Sequence, residues 1–131
     1  MNSVLVDTCV LIDYLRAKKI NDSLLTRIFE SQKNSLNLYI CLVSITELWA
    51  GKSMKDTEMV QYVEKLLSKI DLVEVGADIA KKAGILMRDS SYAVSFQDAL
   101  IAATAIENKM ELLTLNKKHF RQIKELSLFE G

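Results

Sequence analysis

Apolar and polar residues alternate along this chain in blocks that switch between strand-like and helix-like spacing. Val4, Leu5 and Val6 form a β-branched-rich run with no polar interruption. Such a run predicts a strand buried on both faces, as in the middle of a parallel sheet. Asp7 ends it, and Val10, Leu11, Tyr14 and Leu15 follow at helical spacing. Arg16, Lys18 and Lys19 make a basic turn, after which Asn21 or Asp22 can cap a second helix. That helix has Leu24, Leu25, Ile28 and Phe29 on its apolar side and is broken at Asn34 and Ser35. Residues 38–43, rich in Ile, Val and Tyr, predict a second buried strand.

Ser44 opens the next helix, which runs through Trp49 to Gly51, and Asp56 can cap a longer one. In the latter, Met59, Val60, Val63, Leu66, Leu67 and Ile70 share a face, the clearest amphipathic signal in the chain. Residues 72–75 form a short third strand, and Gly76 leads into a helix carrying Ile79, Ala80, Ala83, Leu86 and Met87. Ser95 to Asp98 start a helix that is rich in alanine and apolar nearly all round, which predicts burial and close packing. Residues 112–115 form a fourth strand ending at Asn116, residues 117–121 one helical turn, and residues 126–129 a fifth, marginal edge strand. Strands alternating with helices predict a three-layer α/β fold with a mainly parallel sheet of about five strands.

With 131 residues and no proline, the chain reads as one domain without linkers or repeats. Seventeen basic residues balance seventeen acidic ones. A protein that gripped nucleic acid by charge alone would be more basic, so any positive field must come from local clusters or bound metal. Cys9, Cys41 and the single histidine, His119, are too few and too scattered for a zinc site. Both cysteines read as small core residues. The N-terminus lacks the basic region of a signal peptide, and no apolar stretch approaches the ~20 residues needed to span a bilayer. The cytoplasm is the expected compartment.

In a parallel α/β sheet each helix begins at the carboxyl edge of the strand before it. Asp7 and Asn116 sit at two strand ends, Glu47 lies three residues beyond Ser44, and Asp98 three beyond Ser95. Each has a plain explanation: Ser44-x-x-Glu47 is a capping box, and Ser95-x-x-Asp98 nearly one. Acids in a first turn also complement the helix dipole for ~0.3–1 kcal/mol each. Strand order, on which their meeting depends, does not follow from spacing. If they do meet, three like charges raise one another's pKa unless a cation sits among them. An oxygen-only set of ligands suits a hard ion, Mg2+ or Mn2+.

Four stretches carry a family resemblance: Val-Asp-Thr-Cys-Val-Leu-Ile-Asp-Tyr-Leu around Asp7, Thr-Glu-Leu-Trp-Ala-Gly around Glu47, Gln-Asp-Ala-Leu-Ile-Ala-Ala-Thr-Ala-Ile around Asp98, and Leu-Leu-Thr-Leu-Asn-Lys-Lys-His-Phe around Asn116. In this order and spacing the whole chain resembles the PIN-domain family, and within it the VapC-type toxins of toxin–antitoxin pairs. The resemblance implies a sheet that brings the acids to one pocket. It makes Asp7, Glu47 and Asp98 the catalytic, metal-binding residues, with Asn116 in a fourth place that is often Asp. An amide keeps the ligand oxygen but removes a charge, so a second ion binds more weakly. Thr8 and Thr114 flank the acidic positions, where their hydroxyls can orient carboxylates or water or serve as ordinary cap and strand threonines.

The implied activity is endoribonuclease cleavage dependent on one or two Mg2+ or Mn2+ ions, with metal-activated water attacking the RNA phosphodiester. Cleavage would leave a 5′-phosphate and a 3′-hydroxyl. Lys117, Lys118 and Arg121, with His119, Arg16, Lys18, Lys19, Lys52 and Lys55, are candidates for RNA contacts, although such charges are more often a solvated face. The implied partners are a cognate antitoxin, whose tail crosses the acidic pocket, and a second copy of the chain in a homodimer that joins a larger complex with antitoxin. Leu48, Trp49 and the helix from Met59 could serve a partner if left exposed. A phosphoacceptor receiver domain would need an acid pair after strand one, and a haloacid-dehalogenase-like phosphatase Asp-x-Asp, where position 9 is Cys. The remaining rival is a PIN fold that has lost catalysis and acts as a binding module.

Overall fold

Alternation within the first strand decides which helices lie on which side of the sheet. The element order is β1 (Asn2–Val6), α1 (Thr8–Arg16), α2 (Leu24–Gln32), β2 (Leu36–Cys41), α3 (Leu42–Trp49), a 3-10 turn (Lys52–Lys55), α4 (Thr57–Leu67), β3 (Asp71–Val73), α5 (Ala77–Asp89), α6 (Phe96–Glu107), β4 (Glu111–Leu113) and α7 (Lys117–Phe120). This is a computed structural model that describes residues 2–17, 22–32 and 35–130. The expected basic turn at Lys18 and Lys19, the Asn21 cap and the break at Asn34 lie outside the described residues.

Val4 and Val6 face one side, where Val10 and Leu11 of α1, Leu25 and Ile28 of α2, and Val63 and Leu66 of α4 form the larger core. Leu5 faces the other, against Ile101, Ala102 and Ala105 of α6 and Phe120 of α7. Full burial of such side chains is worth about 1.5–3 kcal/mol each. A third cluster joins α5 to α6 through Ile79, Ala83, Ala99, Leu100 and Ala103. Helix α6 is thus pressed between the sheet and α5, which is why it is apolar nearly all round and small in side chain. Of the stripe that was a candidate interface, Val63, Leu66 and Ile70 are core and Met59 and Leu67 pack half-buried against it; Leu48 is core as well, whereas Trp49 is exposed.

The sheet is wholly parallel, with strand order β3-β2-β1-β4. The chain runs outward from β1 through β2 to β3, then returns through α5 and α6 to place β4 on the opposite side of β1. In open α/β sheets the crevice where the order reverses, at the carboxyl ends of the strands, is where ligands bind. The described sheet has four strands, not about five: Leu128 makes only an isolated bridge to Leu112. Leu126 and Phe129 are buried, so this tail closes over β4 as a cover and does not extend the ladder.

Of the caps on α2 and α4, the first differs from the sequence expectation and the second agrees. Ser23 Oγ accepts the Thr26 N–H at 3.1 Å and so caps α2, while Asp22 lies 3.5 Å from Arg27. Asp56 caps α4, accepting the Glu58 N–H at 3.0 Å. No helix among the described residues is long and apolar enough to cross a membrane.

Candidate active site

Asp7 leaves β1 in extended geometry, and its N–H donates to the Leu113 carbonyl at 2.9 Å, continuing the β1–β4 ladder. Although it occupies the N-cap position of α1, its carboxylate makes no cap bond. Thr114, at the end of β4, donates to Asp7 Oδ2 at 2.7 Å, and the Cys9 thiol donates to the same oxygen at 3.1 Å. The Thr114 hydroxyl in turn accepts the Asn116 N–H at 3.0 Å. Asp7 is only 5% exposed. Burial pushes its carboxyl above the ordinary carboxylate value, the bonds from Cys9 and Thr114 pull it back, and the charge of Asp98 pushes it up again.

Cys9 is therefore not the plain core residue its apolar neighbours suggest. Its thiol is pushed up to about 11, by burial first and by the Asp7 charge second, so at neutral pH it stays a protonated donor. It also accepts the Leu115 N–H at 3.4 Å. Cys41 is fully buried in the core, as expected.

Helix α3 begins at Leu42, earlier than the expected Ser44, because a continuous apolar run does not distinguish a buried strand from a helical first turn. Ser44 is consequently inside the helix and buried, Glu47 lies past the first turn, and the expected capping box does not exist. The freed hydroxyl of Ser44 lies 2.7 Å from Thr8 Oγ1, which donates to Glu47 Oε1 at 2.7 Å. A hydroxyl carries one proton, so Ser44 must donate to Thr8. This relay ties Glu47 to the residue that follows Asp7.

Asp98 keeps the predicted local frame: Ser95 Oγ accepts its N–H at 3.1 Å and caps α6. Its half-buried carboxylate is near enough to raise Asp7, and Oδ2 lies 3.1 Å from His119 Nε2. Asn116 occupies the N-cap position of α7, exposed, with no side-chain cap bond. Two of the three expected RNA-binding cations are engaged: Lys117 and Arg121 pair with Glu130 at 3.0 and 3.1 Å. These pairs are exposed, so water and salt loosen them. Lys118 is exposed and forms no ion pair among the described residues. Glu47, with Arg16 and Lys52, lines a hollow of about 420 Å³ whose walls include Ile12 and Met54.

The fold thus brings Asp7 and Asp98 within electrostatic reach, links Glu47 to α1 through Thr8, and joins Asn116 to Asp7 through the Thr114 hydroxyl. No three His, Cys, Asp or Glu side chains form a ready-made ion cage among the described residues. In chemistry the donor set fits a hard divalent cation: it is all oxygen, and the Asp7 carboxyl is pushed up by its burial and, to a smaller extent, by the charge of Asp98. The hydroxyls of Thr8 and Thr114 donate to the carboxylates of Glu47 and Asp7 respectively. Sequence reasoning missed the parts played by Ser44 and Cys9. The only available signal was their nearness in the chain to Glu47 and Asp7.

A family model described as PIN domain matches residues 4–126. Ribonuclease VapC10 of Mycobacterium tuberculosis is 34% identical over 126 residues, a span covering 94% of this chain and 90% of the relative. Among solved structures, VapBC2 from Rickettsia felis bound to a DNA fragment from their promoter matches with a TM-score of 0.82 at 22% identity, over 97% of each chain. A toxin–antitoxin complex from Klebsiella pneumoniae matches with a TM-score of 0.71 at 25% identity, over 94% of each chain.

Proposed function

This chain belongs to the PIN-domain family, among its VapC-type ribonucleases, and from that premise we propose that it is a Mg2+- or Mn2+-dependent endoribonuclease and the toxin of a toxin–antitoxin pair. The observation that carries the metal requirement is Asp7: a carboxylate pushed up by burial first and by Asp98 to a smaller extent, held by Thr114 and Cys9 and faced by no cationic side chain among the described residues. A buried charge in that state is costly unless a cation meets it.

Asp7, Glu47 and Asp98 hold one or two ions, and the Asn116 side chain adds an amide oxygen that favours a second ion less than a carboxylate does. Bound there, the metal supplies water of lowered pKa and positive charge against the phosphoryl oxygens. Thr114 and Cys9 fix Asp7, and the Ser44–Thr8 relay fixes Glu47, so that the ligand oxygens are oriented before RNA arrives. Cys9 is no nucleophile, since its proton is held too tightly at neutral pH. Lys118, with Lys117 and Arg121 once they exchange Glu130 for phosphate, lies just past Asn116 and steadies the RNA backbone.

The ribonuclease name of the Mycobacterium relative supports the substrate class, and the Klebsiella complex supports an antitoxin partner. A homodimer within a larger antitoxin complex completes the reading, with the cytoplasm as its compartment. Pure protein incubated with RNA and Mg2+ or Mn2+ should cut it, while chelator, Asp7→Asn and Asp98→Asn should each abolish cutting. Cleavage that survives chelation or either substitution rejects the mechanism.

A further inference from the structure

His119 is the single histidine of the chain, and the hydrolysis described above gives it no task. Its ring is nevertheless held firmly. The Tyr92 and Phe120 rings stand edge-on to it, each at 5.3 Å between centroids, and the Tyr92 hydroxyl donates to the His119 carbonyl at 3.2 Å. Nε2 is buried and lies 3.1 Å from Asp98 Oδ2, off the line of a full hydrogen bond, with no other polar partner among the described residues. A bare ring nitrogen at that distance would set its lone pair against those of the carboxylate, so Nε2 carries the proton.

Asp98 needs such a neighbour. The Ser95 cap and the buried stretch that follows, Ala99 to Ala105, fix its backbone. Its carboxylate accepts no side-chain hydrogen bond among the described residues; His119 lies 3.1 Å from it, and Asp7 and Tyr92 are within electrostatic reach. Asp7 and Glu47 each have a hydroxyl as orienting donor. For Asp98 that place is taken by the imidazole.

We propose that His119 is a positioning residue for Asp98, its Nε2–H engaging Oδ2 and leaving Oδ1 as the ligand oxygen for the cation. Donors that sit off-line without ligand commonly align when the bound state forms. Because Nε2 is buried against Asp98, His119 acts through that carboxylate and does not reach the RNA. This rests on the metal-dependent reading above.

The test titrates Mn2+ alone, without RNA, into wild type, His119→Ala, His119→Phe, His119→Gln and Asp98→Asn by calorimetry at one fixed pH. Losing the donor should weaken Mn2+ binding about 10–100-fold in both the Ala and the Phe variants. Phe retains a ring between Tyr92 and Phe120, so a matching loss there cannot be assigned to lost packing. Gln, which presents an N–H at similar reach, should recover most of the affinity. In the Asp98→Asn background His119→Ala should change nothing further. Unchanged Mn2+ affinity in the Ala and Phe variants overturns the positioning role, and so does tighter binding, which would make His119 a competitor of the ion. Failure of the wild type to bind Mn2+ overturns the metal reading itself, a result separate from either.

Discussion

Replacing Thr114 by valine removes one oxygen and almost no volume, so its cost isolates the hydroxyl. That hydroxyl donates to Asp7 Oδ2 at 2.7 Å and accepts the Asn116 N–H at 3.0 Å. A bond to a charged group contributes about 1.5–3 kcal/mol and a neutral one about 0.5–1.5. Thr114 is 1% exposed, so water cannot take the place of its hydroxyl at Asp7, whereas exposed Asn116 can find water. The expected loss is therefore about 2–4 kcal/mol at neutral pH in chelator, a sizeable part of the roughly 5–15 kcal/mol that holds a domain folded. With a urea slope of about 1–3 kcal/mol/M, the midpoint should fall by about 1–2 M.

The pH dependence follows from the sign of the Thr114 contribution. Its bond lowers the Asp7 carboxyl, so removing it raises that group further. The destabilisation should be full where Asp7 is ionised in both proteins and should shrink as pH falls through their raised folded-state values, which lie above the ordinary 3.8. In the Asp7→Asn background the same substitution should cost about half as much or less. A loss under about 0.5 kcal/mol at pH 7, or an equal loss in acid and at neutrality, would refute the claim that Thr114 stabilises a buried charge.

Asp7→Asn should itself stabilise the metal-free protein. Burial and Asp98 raise the Asp7 carboxyl above 3.8, so across the window from 3.8 to the raised value the folded chain retains a proton the unfolded chain has released. Wild-type stability in chelator should then fall as pH rises through that window, and the Asn variant should give a flatter profile in thermal melts. Mn2+ at a hundred times its dissociation constant should stabilise the wild type by about 2.7 kcal/mol. For a domain of this size that is a rise of roughly 10 °C in Tm, reversed by chelator and absent in Asp98→Asn. Lys118→Gln should lower the slope of log affinity against log salt by about 0.7 for single-stranded RNA, read by fluorescence anisotropy in chelator. An unchanged slope would remove Lys118 from the RNA path.

Periodicity and capping act over a few residues, and what they control was legible in the linear chain. Val4 to Val6 as a central strand, the buried alanine-rich helix, the Asp56 and Ser95 caps, and carboxylates at the carboxyl edge could all be read there. The onset of α3 could not, because Leu42 and Val43 are as apolar as the strand before them, and with it went the placement of Ser44 and Glu47. Contacts spanning most of the chain were equally hidden. Asp7 meets Thr114 across 107 positions only because β4 pairs with β1 and not with the outer strand β3. That choice is made when α6, too apolar to face water on any side, is buried between the sheet and α5 and carries the chain back across β1. The same docking sets His119 against Asp98, a pairing that depends on which surfaces pack together and leaves no trace in local spacing.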